Sequence, residues 1–116
     1  MIRFALLFGV FVAGCAANGM PIEEYPCPPQ GTQLTYESFG ARWLETNCNR
    51  CHSASEGHRS GAPVSYRFDT FDEVRMHKAR IFVRAAASNT TMPPGPDDPN
   101  PDERDQLAEW LACGAP

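Results

Sequence analysis

Three side chains close together in the chain have the types and spacing for one particular chemistry. Cys48, Cys51 and His52 form the string Cys-x-x-Cys-His, which is the attachment pattern of a c-type haem. Each thiol adds across one vinyl group of the porphyrin to form a thioether. The two intervening residues, Asn49 and Arg50, set the thiols about as far apart as the two vinyls. The histidine directly after the second cysteine is then held under the iron, where its imidazole can be the proximal ligand. Two blander readings compete. A structural zinc site needs four ligands, usually as two Cys/His pairs, and no second Cys-x-x-Cys exists here. A dithiol redox pair should follow a strand in a βαβ pattern, whereas the residues before Cys48 recur at helical spacing.

The other three cysteines place the chain in a compartment. Arg3 and the apolar run Phe4 to Val12 read as a targeting segment over residues 1–14, too short to span a bilayer as a mature helix. The run ends in Val12-Ala13-Gly14-Cys15, which resembles the bacterial lipobox. Cleavage before Cys15 would leave it to carry lipid, and several acyl chains on one residue anchor firmly. The alternative is an ordinary secretory signal with a chance cysteine. No aspartate follows Cys15, which by analogy with lipoprotein sorting points to the outer membrane. Attachment of haem to Cys-x-x-Cys-His occurs outside the bacterial cytoplasm, so export fits. Cys27 and Cys113 remain, and an even remainder in an oxidising compartment suggests a disulfide. Two free thiols are the alternative.

Length and charge narrow the partners. A chain of 116 residues with eleven prolines and nine glycines makes one small, loop-rich domain with a thin core. A covalent haem would supply much of the missing apolar centre. From Cys15 onward there are nine Lys/Arg against fourteen Asp/Glu, which argues against a nucleic-acid partner. The distribution is uneven: eight basic and five acidic residues from Arg42 to Arg84, then six acids and only Arg104 from Asp97 to Glu109. A mildly positive middle suits redox partners with an acidic docking surface.

Three helices are expected to position the motif. Residues 15–34 read as a lipid-anchored tether, with the proline-containing stretch up to Pro26 as a spacer. Residues 35–116 read as the haem domain. Phe39, Gly40, Trp43, Leu44 and Asn47 recur at helical spacing, so a helix over Thr35 to Asn47 delivers Cys48. A polar Ser/Gly/Pro loop follows, with Tyr66, Phe68 and Phe71 as apolar anchors. Asp69 to Ala87 reads as the second helix, with Asp69 or Thr70 as its cap, Phe71, Val74, Lys78, Ile81, Phe82 and Ala85 on one face, and Arg75, Arg80 and Arg84 mostly outside. Met92-Pro93-Pro94-Gly95-Pro96 is a stiff loop able to hold one side chain in place. Pro101 to Cys113 reads as the last helix, with Leu107, Trp110 and Leu111 inward and Gly114 ending it. No strand pattern or internal repeat is present.

From Thr35 to Gly114 this order of parts resembles a class I cytochrome c. The parts are a helix, Cys48-x-x-Cys51-His52, a loop, a helix, Met92-Pro93-Pro94 and a terminal helix. The resemblance implies an all-α domain of three main helices around one covalently bound haem c, with long loops. It also implies that Met92, after the second long helix, is the distal iron ligand. Gly40, eight residues before Cys48, should cross the last helix at an aromatic partner, for which Trp110 is suited. His58 and His77 are the competing sixth ligands, although both read as solvent-facing. Cys27, Cys113 and the short interval between haem motif and methionine depart from the family pattern.

Two protein ligands on iron leave no open position for substrate. The expectation is therefore a membrane-tethered, periplasm-facing electron carrier rather than an enzyme. The alternatives are a haem enzyme or gas sensor with an open distal site, for which His58 with Arg59 is the only candidate pair, and a haem subunit of a larger respiratory complex.

Overall fold

The structure, a computed structural model, describes residues 19–116; the expected targeting segment over residues 1–14 and the expected lipid site Cys15 lie outside the described residues. Among the described residues there are four α-helices and no strand, as the all-α expectation requires. They are α1 (Ala41–Asn47), α2 (Asn49–His52), α3 (Phe71–Ala85) and α4 (Pro101–Ala112). No helix among them is long and apolar enough to cross a membrane.

The chain enters α1 through a wide π-type turn, Tyr36–Gly40. Thr35 caps it reciprocally: its Oγ1 accepts the Ser38 N–H at 3.1 Å, and Ser38 Oγ accepts the Thr35 N–H at 3.0 Å. The expected first helix is thus a wide turn, then α1, then a break at Cys48 that starts α2. The expected second helix, 69–87, is trimmed at both ends. Thr70 caps α3 and exchanges hydrogen bonds with Glu73. The helix stops at Ala85 because Ala86 is extended, with φ −101° and ψ 153°. Asn100 caps α4 in the same reciprocal way with Glu103, and Pro101 occupies its first turn. Gly114, at φ +98°, lets the chain leave α4 with the Ala115 N–H donating to the Trp110 carbonyl at 2.9 Å.

The core joins α1, α3 and α4. Val74, Ile81, Phe82 and Ala85 of α3 meet Leu107, Ala108, Trp110 and Leu111 of α4, with Trp43 and Leu44 of α1 and Phe68 completing the cluster. Gly40 lies directly against Trp110: a Cβ there would come 2.4 Å from the ring carbons Cζ2 and Cη2. Only glycine permits that approach. Phe39 packs edge-on against the same indole, with ring centroids 5.9 Å apart.

The stretch expected as a spacer is docked from Gly19 onward. A short 3₁₀ turn, Ile22–Glu24, packs against α3 and α4. Met20, Ile22 and Tyr25 rest on the core, and Tyr25 meets Phe82 edge-on at 5.7 Å. Asn89 Nδ2 donates to the carbonyls of Met20 at 2.9 Å and Phe82 at 3.0 Å. The physical reason is apolar burial: three large side chains in a proline-rich stretch are enough to cover the seam between two helices. Cys27 then reaches Cys113, with Cα atoms 5.0 Å apart and the sulfurs at bonding distance. Thr32 Oγ1 donates to Glu109 Oε1 at 2.6 Å.

Candidate functional site

A cavity of about 570 Å³ opens between the haem motif and the loop at Met92, a size within the range of small-molecule and cofactor pockets. Asn47, Cys48, Cys51 and His52 form one part of its lining. Ala62, Pro63, Tyr66 and Phe68 come from the loop that follows. Ile81 and Ala85 come from α3, and Met92 to Pro96 from the loop before α4. Four guanidinium-bearing residues, Arg50, Arg59, Arg80 and Arg84, also line it.

The motif is held by its own backbone. The N–H groups of Cys51 and His52 both donate to the Cys48 carbonyl at 3.0 Å, so a single short turn presents both sulfurs and the imidazole. Asn49 Nδ2 donates to the Phe68 carbonyl at 2.9 Å, which ties α2 to the loop beneath it. Cys48 and Cys51 are free thiols. Burial, with the neighbouring Cys51 adding to it, pushes the Cys48 thiol up to about 12. That group is therefore a neutral thiol at physiological pH, not a standing thiolate.

His52 is fixed in ring plane and in tautomer. Its Nδ1 lies 2.8 Å from the Tyr66 carbonyl oxygen. A carbonyl only accepts, so Nδ1 carries the proton and Nε2 keeps its lone pair. Phe68 stacks on the imidazole at 4.6 Å with 26° between planes. This is the outer-shell support that a metal-binding histidine requires.

Met92 is partly exposed, at 39%, and lines the same cavity as Cys48, Cys51 and His52. Its N–H donates to the Arg84 carbonyl at 2.8 Å. The competing histidines are elsewhere. His58 is exposed and does not line the cavity. His77 was expected to face water but is half-buried, packed on Tyr66 at 5.0 Å and Phe68 at 6.0 Å; its helix turns it toward those rings. Met76, by contrast, is 76% exposed, and Met20 rests on the core by the docked N-terminal stretch.

Of the basic residues in the mildly positive middle, Arg50 and Arg59 line the cavity, whereas Arg42 and Arg75 do not. Arg75 lies over the Phe71 ring at 5.2 Å. Arg59 braces the loop: it donates to the carbonyls of Ser53, Ala62 at 3.2 Å and Pro63 at 3.0 Å. Sequence reasoning passed over Arg80 and Arg84 as outward residues of α3. Their spacing from Ile81 and Ala85, one position each, was the available signal that they flank the inward stripe.

The residues fit a covalently attached haem. Two free thiols with two residues between them, an imidazole held through Nδ1 and a mostly apolar lining are what a porphyrin needs, and nearby guanidiniums suit carboxylates at its edge. Among the described residues no three His, Cys, Asp or Glu side chains gather as metal ligands, so the motif does not form half of a zinc cluster there.

The family model described as cytochrome C oxidase, cbb3-type, subunit III matches residues 38–111. That span runs from the turn before α1 through the haem motif and Met92 to the end of α4. No curated protein and no solved structure matches the chain. The match covers well over half of the chain and supplies what the geometry calls for, a cytochrome c domain with covalently attached haem c that serves haem-based electron transfer. The chain belongs to the family of cbb3-type cytochrome c oxidase subunit III.

Proposed function

We propose that the protein is a one-electron carrier in which Cys48 and Cys51 hold the haem and His52 and Met92 fill both axial positions. The observation that carries this reading is the shared cavity, about 570 Å³, that Met92 lines together with the two thiols and the imidazole. When bound, the haem supplies one iron centre that takes up and gives back a single electron. The chain's own residues do the rest. The Nδ1–H bond to Tyr66 fixes the His52 tautomer and orients Nε2 into the cavity. Phe68 keeps the imidazole plane from turning. Pro93 and Pro94 limit the loop, so the Met92 sulfur is held at little further entropic cost. Held by both His52 and Met92, the bound iron would have no place for substrate and would serve only to pass an electron.

Carbon monoxide separates this reading from an open-site haem enzyme or sensor. The reduced holoprotein should resist the gas, because Met92 must first leave the iron. Immediate, stoichiometric binding would mean an open distal site.

Placement is part of the same proposal. Cys15 carries lipid and holds the domain on the periplasmic side of the envelope, at the outer membrane. Three residues separate Cys15 from Gly19, where the described part of the domain begins, so lipid on Cys15 would hold the domain close to the bilayer. Cys15→Ser should move the protein from the membrane fraction to the soluble one; unchanged fractionation would put the anchor elsewhere. Acidic redox partners suit the four arginines around the cavity. Electron transfer to them should slow as salt rises, and a salt-indifferent rate would point to apolar docking.

The family description favours a second reading, in which the chain is the haem subunit of a respiratory complex. Gentle solubilisation and affinity purification from native membranes tests it. Recovery of the chain alone at every detergent strength would favour the independent carrier.

A further inference from the structure

Arg104 is the charged side chain buried among the described residues, with 3% of its surface exposed. It stands three residues before Leu107 and seven before Leu111 on α4, so it shares their inward face. Its Nη1 donates to three carbonyl oxygens: Ala85 at 2.8 Å, Asn89 at 3.2 Å and Met92 at 2.8 Å. These belong to the last turn of α3, the bend after it and the loop of the proposed distal ligand. No carboxylate pairs with Arg104 among the described residues. Its partners are neutral carbonyls, and one of them, that of Ala85, lies at the C-terminal end of α3, where the helix dipole favours a cation.

Burying a guanidinium without a counter-charge is costly, and an apolar side chain of similar size would fill the space more cheaply. What an apolar side chain cannot do is gather three carbonyls from three consecutive segments. With the Met92 N–H bonded to the Arg84 carbonyl at 2.8 Å and Thr91 Oγ1 donating to that same oxygen at 3.2 Å, both backbone polar groups of Met92 are tied to the end of α3. One of those two ties is Arg104.

We propose that Arg104 is the positioning residue for the distal ligand: its guanidinium locks the Met92 backbone to the end of α3, so the thioether is presented to the iron from a fixed place. This rests on Met92 being that ligand. A cation in this position also opposes the added positive charge of oxidised iron, so its loss lowers the potential in the same direction as a loosened Met92.

The test compares Arg104→Leu, Arg104→Lys and Met92→Ala holoproteins with the parent, by the far-red sulfur–iron band of the oxidised form and by imidazole affinity. Arg104→Leu should weaken the band and raise imidazole affinity roughly tenfold or more, since hydrogen bonds from a charged donor are lost. Arg104→Lys, which keeps the charge and some of the bonds, should recover part of both. Met92→Ala should have no band. Parent band and parent imidazole affinity in Arg104→Leu, with the band absent from Met92→Ala, would overturn the positioning role and leave the ligand reading intact. A band retained in Met92→Ala would overturn the ligand reading and this inference with it. Should the Arg104 variants fail to fold, the unmodified holoprotein decides. Its Arg104 Nη protons should be protected from exchange and should exchange faster once imidazole displaces Met92. Protection that is indifferent to imidazole would overturn the proposal.

Discussion

The two sides of the haem cavity are built by opposite means. On one side, five consecutive residues make a single short turn whose hydrogen bonds close on the Cys48 carbonyl, and the support borrowed from further along comes from Tyr66 and Phe68, through their carbonyls, the Phe68 N–H and the Phe68 ring. On the other side, Met92 sits in a loop with no helix of its own. It is held by Arg84 at the end of α3 and by Arg104 from α4. The first side is local and needs little of the fold. The second exists only when α3 and α4 are packed together. On the proposed reading, covalent attachment and the His52 ligand belong to the local side, and the Met92 ligand, with its share in setting the potential, belongs to the tertiary side.

Breaking the two sides separately should therefore give different failures. The largest effect falls on the local side. Cys51→Ala should leave one thioether and mature poorly, and His52→Ala should remove the proximal ligand. Acid–acetone extraction should leave colour with the parent protein, and colour moving to the organic phase would contradict covalent attachment. Next comes the support of α4. Reducing the Cys27–Cys113 contact, or Cys27→Ser, opens a loop whose ends are 86 residues apart in sequence. If the two cysteines pair as we propose, stability should fall by about 4 kcal/mol, read by denaturant titration. The Met92 side should loosen before the thioethers are affected. Two alkylatable thiols in the native protein would show that no bridge exists. Smaller still, Gly40→Ala forces a Cβ against the Trp110 ring, where it would lie 2.4 Å from the nearest carbons. Overpacking of this kind costs about 1–3 kcal/mol. A lowered melting temperature with the spectrum unchanged is the expected outcome, and an unchanged melting temperature would mean that the helix crossing yields freely.

The same contrast explains what could be read from the sequence. Cys48, Cys51 and His52 could be singled out because the chemistry they suit depends on spacing along the chain, and the structure brings them to one cavity. The three helices were legible from apolar periodicity, and so was Thr70 as one of two candidate caps of α3, whereas its far end was placed too late because Ala86 turns extended. The docking of Met20, Ile22 and Tyr25 was not legible, since three apolar residues among prolines have no period, and only the seam between α3 and α4 gives them a place. Arg104 was read as a lone base in an acidic stretch. Its register with Leu107 and Leu111 pointed inward, but the carbonyls that receive it come from α3 and the Met92 loop, which no local pattern brings together.

The most direct measurement is the oxidised holoprotein's far-red sulfur–iron band, taken together with the reduction potential, in the parent and in Met92→Ala. A soft, neutral thioether favours Fe(II), so Met/His ligation raises the potential within the roughly 0.8 V range that axial ligands span. The parent should show the band, and Met92→Ala should lose it and fall clearly in potential while keeping its covalent haem. A Met92→Ala protein with the parent band and the parent potential would contradict the assignment of Met92 to the iron.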